Sequence, residues 1–245
     1  MKTLIIKTQE QAETLVVDGV LKFEGHIIFN CAIEAGWSIK AGGSIEADGS
    51  IEAGGSIKAD EHIKAGRSIE AGWSIKAGGS IEAGEYIKAG EYIKAGWSIK
   101  AGRSIEAGWY IKAGRSIEAG EYIKAGWYIE ADGSIEAGEY IEAGESIEAG
   151  RSIEAGWSIK AGEYIKAGEY IKAGGSIEAG NDWGISCGFS FRISMQSKST
   201  IAAKTKPNNI LHGEFVQVIE QGLSPTSQSA SPAPRNTGGT GGMTE

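Results

Sequence analysis

Few residues in this 245-residue chain have the chemistry for catalysis or metal binding: His26, His62 and His212, Cys31 and Cys187, and a large set of glutamates. A zinc site needs such ligands grouped at short spacings, and the three histidines are scattered instead. No Gly-rich phosphate loop and no Gly-x-Ser-x-Gly turn accompanies them. The glutamates recur at fixed intervals as scaffold positions, so none is singled out as a general acid or base. The expectation is a protein that is not an enzyme and carries no cofactor and no metal. The cysteines lie 156 residues apart in sequence, too far along a rod of the kind deduced below to bridge within one chain. Reduced thiols, the absence of an apolar run approaching 18 residues and the lack of a leader-like segment at the start predict a cytoplasmic chain with no membrane span.

The element that must position every outward side chain is a six-residue unit repeated without insertion or deletion from Ile33 to Glu178. Each unit reads Ile, Glu or Lys, Ala, Gly or Asp, then a variable residue, then usually Ser or Tyr. Its 25 isoleucines run in step from Ile33 to Ile177. A period of six fits no helix, and a Gly in nearly every unit would cost a helix about 1 kcal/mol each time. Ile and Ala two apart, with a charge between them, suit a short strand with one buried face, after which Gly turns the corner. Strands this short bury their apolar face only by stacking repeat on repeat.

The predicted fold is therefore all-β: a three-sided, single-stranded β-helix (a solenoid of six-residue repeats), with 18 residues per coil, about nine coils and small end caps. The hexad accommodates either hand. Residues 1–14 are expected to form an N-terminal cap and 15–180 the β-helix, with the hexad phase already running from Leu15 and Val17. Residues 181–222, with alternating Cys187, Phe189, Phe191, Ile193 and Met195, read as a C-terminal cap. Residues 223–245, rich in Ser, Pro, Thr and Gly, read as a disordered tail.

Residues 18 apart should be stacked neighbours, so the outward positions form columns. Lys40, Lys58, Lys76, Lys94 and Lys112 make a basic column. Lys64, Glu82, Lys100 and Glu118 alternate in another, beside Arg67, Glu85, Arg103 and Glu121. The chain carries a net charge of −8, and the window from Glu118 to Glu154, with ten acids against Lys124 and Arg151, accounts for that value alone. Glu118, Glu136 and Glu154 should share one column, with Glu121 and Glu139 at the adjoining corner. Such a patch is either a solvated acidic face or a docking surface for something basic. Trp73, Trp109 and Trp127 should stand on one edge near Tyr92, Tyr110, Tyr128 and Tyr164, either as a contact surface or as a shield over neighbouring strands.

Units such as Ser50-Ile51-Glu52-Ala53-Gly54 resemble those of bactofilins, the polymer-forming bacterial cytoskeletal proteins. The resemblance covers roughly residues 15–195 and the tail. It implies a right-handed, three-sided β-helix that polymerises end to end. The strict Ile-x-Ala hexad and the apparent caps depart from that family. Hexapeptide-repeat acyltransferases place a small residue two before the aliphatic one, a position held here by Trp, Glu, Arg or Gly.

Two functional expectations follow. The first is a structural or scaffolding rod that self-associates through its ends or through its charged and aromatic faces. The alternative is a soluble binding module or inhibitor whose acidic, polyanion-like face takes a protein with a basic surface. Nucleic acid is not the expected partner.

Overall fold

A computed structural model describes residues 1–180, 184–187, 200–203, 205–207 and 210–217. The hexads form a parallel β-solenoid with three sheets, one per side. We call the side carrying Ile27, Ile45 and Ile63 the first face, that carrying Ile33, Ile51 and Ile69 the second, and that carrying Ile39, Ile57 and Ile75 the third. Within the hexad block the strands pair in register 18 residues apart, Ile on Ile and Ala on Ala, as in Ile63 with Ile81 and Ala65 with Ala83. The in-register stacking follows from period two along the strand: a one-residue slip would turn the whole Ile and Ala set outward.

The core is the stack of these residues. The isoleucines from Ile33 to Ile177 are 0–3% exposed and the alanines from Ala35 to Ala173 beside them 0–8%. Main-chain bonds run from coil to coil at the corners as well, for example Ile45 N–H to His62 O at 2.8 Å and Glu85 N–H to Arg67 O at 2.7 Å. Hydroxyls in the corners add a second ladder, including Ser56 with Ser74 at 3.0 Å and Ser134 with Ser152 at 3.0 Å.

The terminal segments extend two of the three sides. Among the described residues the first and third faces hold twelve strands each and the second face nine. Counting hexads alone predicts nine coils. The difference arises because Thr3–Ile6, Thr200–Ala203 and Glu214–Gln217 join the first face, while Val16–Val17, Ile185–Cys187 and Ile210–His212 join the third. The hexad phase expected at Leu15 starts instead at Leu21. Leu15 and Val17 are 39% and 69% exposed, because Val16–Val17 folds back antiparallel on Val20–Phe23. The reversal is made by Asp18 and Gly19, both with positive φ, the dipeptide that favours a two-residue hairpin turn. The expected alternation from Phe189 to Met195 and the tail 223–245 lie outside the described residues.

A short helix, Gln9–Glu13, closes the open N-terminal edge of the second face. Thr8 caps it by accepting the Gln11 N–H. The Gln9 side-chain amide then acts as a missing strand: its Nε2 donates to Glu34 O at 2.5 Å and its Oε1 accepts the Glu34 N–H at 3.3 Å. The first strand of that sheet, Ile33–Ala35, is thus partnered on its outer edge by one side chain, which blocks the backbone pairing through which another chain would add.

Candidate functional site: the charged and aromatic faces

The basic column predicted from 18-residue spacing lies on the third face, where Lys40, Lys58, Lys76, Lys94 and Lys112 are successive register partners. It continues into Glu130, which takes Lys112 as an ion pair at 2.7 Å. Among the described residues no ion pair reaches Lys40, Lys58, Lys76 or Lys94. Four ammonium groups outside any ion pair, at strand spacing, form a strip of positive potential beside the aromatic edge.

That edge is the corner leading into the third face. The rings of Tyr92, Tyr110 and Tyr128 stack at 4.9 Å with planes within 3°, and those of Trp109 and Trp127 at 5.3 Å. The ring spacing matches the strand spacing, because identical residues in parallel register have no choice but to align. Burial within the stack pushes the Tyr110 phenol up from its ordinary value, with its ring neighbours adding to the effect. The tryptophans stay open to water: Trp73 is 63% exposed, Trp109 40% and Trp127 47%. Ser146 interrupts the tyrosine column and leaves a shallow groove between Tyr128 and Tyr164, walled by Glu130 and Glu148.

The acidic patch occupies the first face, with Glu118, Glu136 and Glu154 in register and Glu121 and Glu139 at the adjoining corner. Its five carboxylates are less uncompensated than the sequence suggests. Lys100 Nζ lies 2.8 Å from Glu118, Arg103 Nε 2.8 Å from Glu121, and Lys172 Nζ 3.8 Å from Glu154, which also accepts from the Tyr170 hydroxyl. Among the described residues no ion pair reaches Glu136 or Glu139. The patch is therefore a two-carboxylate opening inside a neutralised frame. The cations that neutralise it sit one coil away, so a window count along the sequence misses them.

His26 and His62 form corner structure. His26 Nδ1 accepts the Ser44 N–H at 3.0 Å, and His62 Nδ1 accepts the Ser80 N–H at 2.9 Å. Ser44 Oγ donates to Glu61 Oε2 at 3.1 Å, and the same carboxylate oxygen lies 3.7 Å from His26 Nδ1. Serine, histidine and glutamate thus meet in one corner, but in the wrong order for nucleophilic catalysis. The imidazole lone pair is already held by a backbone amide, and the hydroxyl points to the carboxylate rather than to the base. Trp97 covers the same corner column: it meets His62 edge-on at 5.1 Å and carries the Arg115 guanidinium at 5.1 Å from its ring centre.

No protein-family model, curated protein or solved structure matches this chain. Function must be read from these surfaces. Among the described residues no group of three His, Cys, Asp or Glu side chains is placed to hold a metal ion, and no helix is long and apolar enough to cross a membrane.

Sequence reading missed the second face. There the column runs Glu34, Glu52, Glu70, Lys88, Glu106, Lys124, Glu142, Lys160, Glu178. Its first three members line one open depression with Gly36, Gly54 and Gly72, and burial, with help from Glu34 and Glu70, raises the Glu52 carboxyl above its ordinary value. Beyond them the signs alternate. An alternating column sums to almost nothing in a linear window and becomes visible only when read coil by coil.

Both thiols are free, Cys31 partly exposed and Cys187 buried. Cys187 sits at an Ala position, in register with Ala167, and burial pushes its thiol up to about 11. The neutral thiol is the form the fold accepts. Its contribution to stability is complete below the unfolded value of 9.0 and is lost as pH rises from there through about 11. Iodoacetamide at mildly alkaline pH should label Cys31 of the folded protein and spare Cys187 until denaturant is added. Equal labelling of both, read by peptide mass, would contradict this placement.

Proposed function

We propose that this chain is a non-enzymatic structural or scaffolding rod that associates side by side with copies of itself. The observation that carries this reading is the row of open tryptophans, Trp73, Trp109 and Trp127, set beside the stacked tyrosines and a lysine strip on a rigid face. Stability does not need them, since the Ile and Ala core is complete without them, and exposed aromatic surface of this extent marks contact sites. The likeness of the repeat units to bactofilins adds a filament-forming precedent. The Gln9 closure of the second face's N-terminal edge removes one of the three sheet edges through which copies could add end to end.

Negative-stain electron microscopy over a concentration series, at low and high salt, tests this reading. Paired or bundled rods at low salt, loosening as salt screens the charged columns, are the expected result. Single rods of about 55 Å, the length of the twelve-stranded faces at the β spacing, under all conditions would overturn it. The second reading, a module binding a basic protein surface, rests on Glu136 and Glu139, the two acidic-patch carboxylates that no ion pair reaches.

A further inference from the structure

The second face is self-complementary. We propose that two copies of this chain pack through it, antiparallel, about a two-fold axis lying between the coil of Lys88 and the coil of Glu106. The proposal rests on the self-association reading and adds to the aromatic edge a second contact surface, with its partner and register.

A two-fold axis along the strand direction lays a column of one copy on the same column of the other, run in reverse. Lys88 then faces Glu106 of the second copy, Glu70 faces its Lys124, and Glu34 faces its Lys160, each contact occurring twice. The acidic run Glu34, Glu52, Glu70, which has only Lys88 beside it at 4.0 Å from Glu70, gains two cations in this way. Glu52 faces Glu142, whose charge is already met within its own chain by Lys124 at 3.5 Å. At the adjoining corner Arg103 faces Glu85 and Arg67 faces Glu121, so the in-chain pairs Arg67 with Glu85 at 3.3 Å and Arg103 with Glu121 at 2.8 Å become alternating squares of four charges.

Shape selects the same register independently. Tyr86, Tyr122 and Tyr140 form ridges on this face, and Ser104 leaves a groove between the first two, walled by Lys88, Arg103 and Glu106. About the proposed axis Tyr86 enters the groove at Ser104 of the second copy, while Tyr122 and Tyr140 fall on its Ser68 and Ser50. Moving the axis by two coils, to lie between Lys124 and Glu142, keeps charges opposed at the centre but sets Tyr122 on Tyr140, ridge against ridge. Eight strands of overlap at about 4.8 Å and a side about 15 Å wide bury roughly 500 Å² per copy, or about 1,000 Å² in all. That is the lower limit of a specific interface, so the dimer is reversible. A closed two-fold also leaves the aromatic edge and the lysine strip free for further lateral contact.

Charge-reversal complementation followed by sedimentation velocity tests the proposal. Glu70→Lys sets like charges on Lys124 of the second copy, and Lys124→Glu sets like charges on Glu70. Each variant alone should dimerise at least about tenfold more weakly than the parent chain, and an equimolar mixture should recover to within about threefold, because opposite charges then meet at both sites. Circular dichroism of each variant establishes that it is folded, and recovery on mixing cannot come from a misfolded chain. A parent chain that stays monomeric at low salt would remove the self-association reading and this proposal together. A parent chain that associates while both variants associate equally well would overturn this face alone.

Discussion

Replacing Ile123 with Ala is expected to lower the stability of the rod by about 4 kcal/mol, the upper part of the range for emptying a buried aliphatic site. Ile123 is fully buried on the second face, stacked between Ile105 and Ile141. The cavity has no means of collapsing. Its walls are isoleucines and alanines whose backbones are fixed by ladders above and below, and a coil cannot move inward without breaking them. In a one-dimensional stack a weak central coil also divides the rod into two halves that can open separately. Chemical denaturation should therefore show a lower midpoint and, at the limit, a second transition. The same change at Ile177, on the last described strand of that face, should cost distinctly less, because among the described residues its strand has a partner on one side only. Equal costs at the two positions would mean that the rod unfolds as a single cooperative body.

The second large effect concerns the corner glycines. Gly126 does not have a positive φ, so backbone conformation is not what selects it. Coil spacing is. A Cβ on Gly126 would overlap the carbonyl oxygen of Gly108, one coil below, and that oxygen belongs to backbone that cannot swing aside. Gly126→Ala is expected to cost about 2 kcal/mol through local opening of the stack. The chain itself marks the upper bound on this penalty, because Asp48, Asp60 and Asp132 stand at the same point of the hexad and are accommodated. Gly36 is the internal control: nothing lies within 4 Å of a Cβ there, since the hairpin at Asp18 and Gly19 replaces a regular coil beneath it. Gly36→Ala should leave thermal stability within about 0.5 kcal/mol of the parent. If Gly126→Ala is as mild as Gly36→Ala, the corner glycines are kept for a reason other than coil packing.

These two expectations bear directly on how the surface acts. The rod presents its columns at fixed spacing only because the core beneath is incompressible and the corners repeat. A lysine strip, a tyrosine stack and an alternating ladder are consequences of a single rule, that residue i lies on residue i + 18. Near-identical hexads permit whole coils to be added or lost without disturbing that rule, and a lateral contact made coil by coil tolerates such changes in length better than a single site would.

By itself the sequence determined the solenoid, its three sides and the 18-residue coil. The Ile-x-Ala unit with Gly at the corner admits one burial pattern, and neither helix nor flat sheet satisfies it. It determined the membership of each column as well, so the Lys40 to Lys112 strip, the Glu118, Glu136 and Glu154 column and the Trp109 and Tyr110 edge were legible as arithmetic. What only the tertiary structure decided lies where the period fails or where one side chain must choose among neighbours. The hexad phase at Leu15 and Val17 gave way because Asp18 and Gly19 turned the chain back, and a turn outweighs a degenerate repeat. Gln9 became the edge strand of the second face because its amide is the same hydrogen-bonding group as a peptide, which no pattern of apolar residues records. The acidic patch was reduced to Glu136 and Glu139 because ion pairs form over a few ångströms between coils, with Lys100, Arg103 and Lys172 supplying the charge. Periodicity fixes where each residue stands, and short-range contact energies fix what it touches.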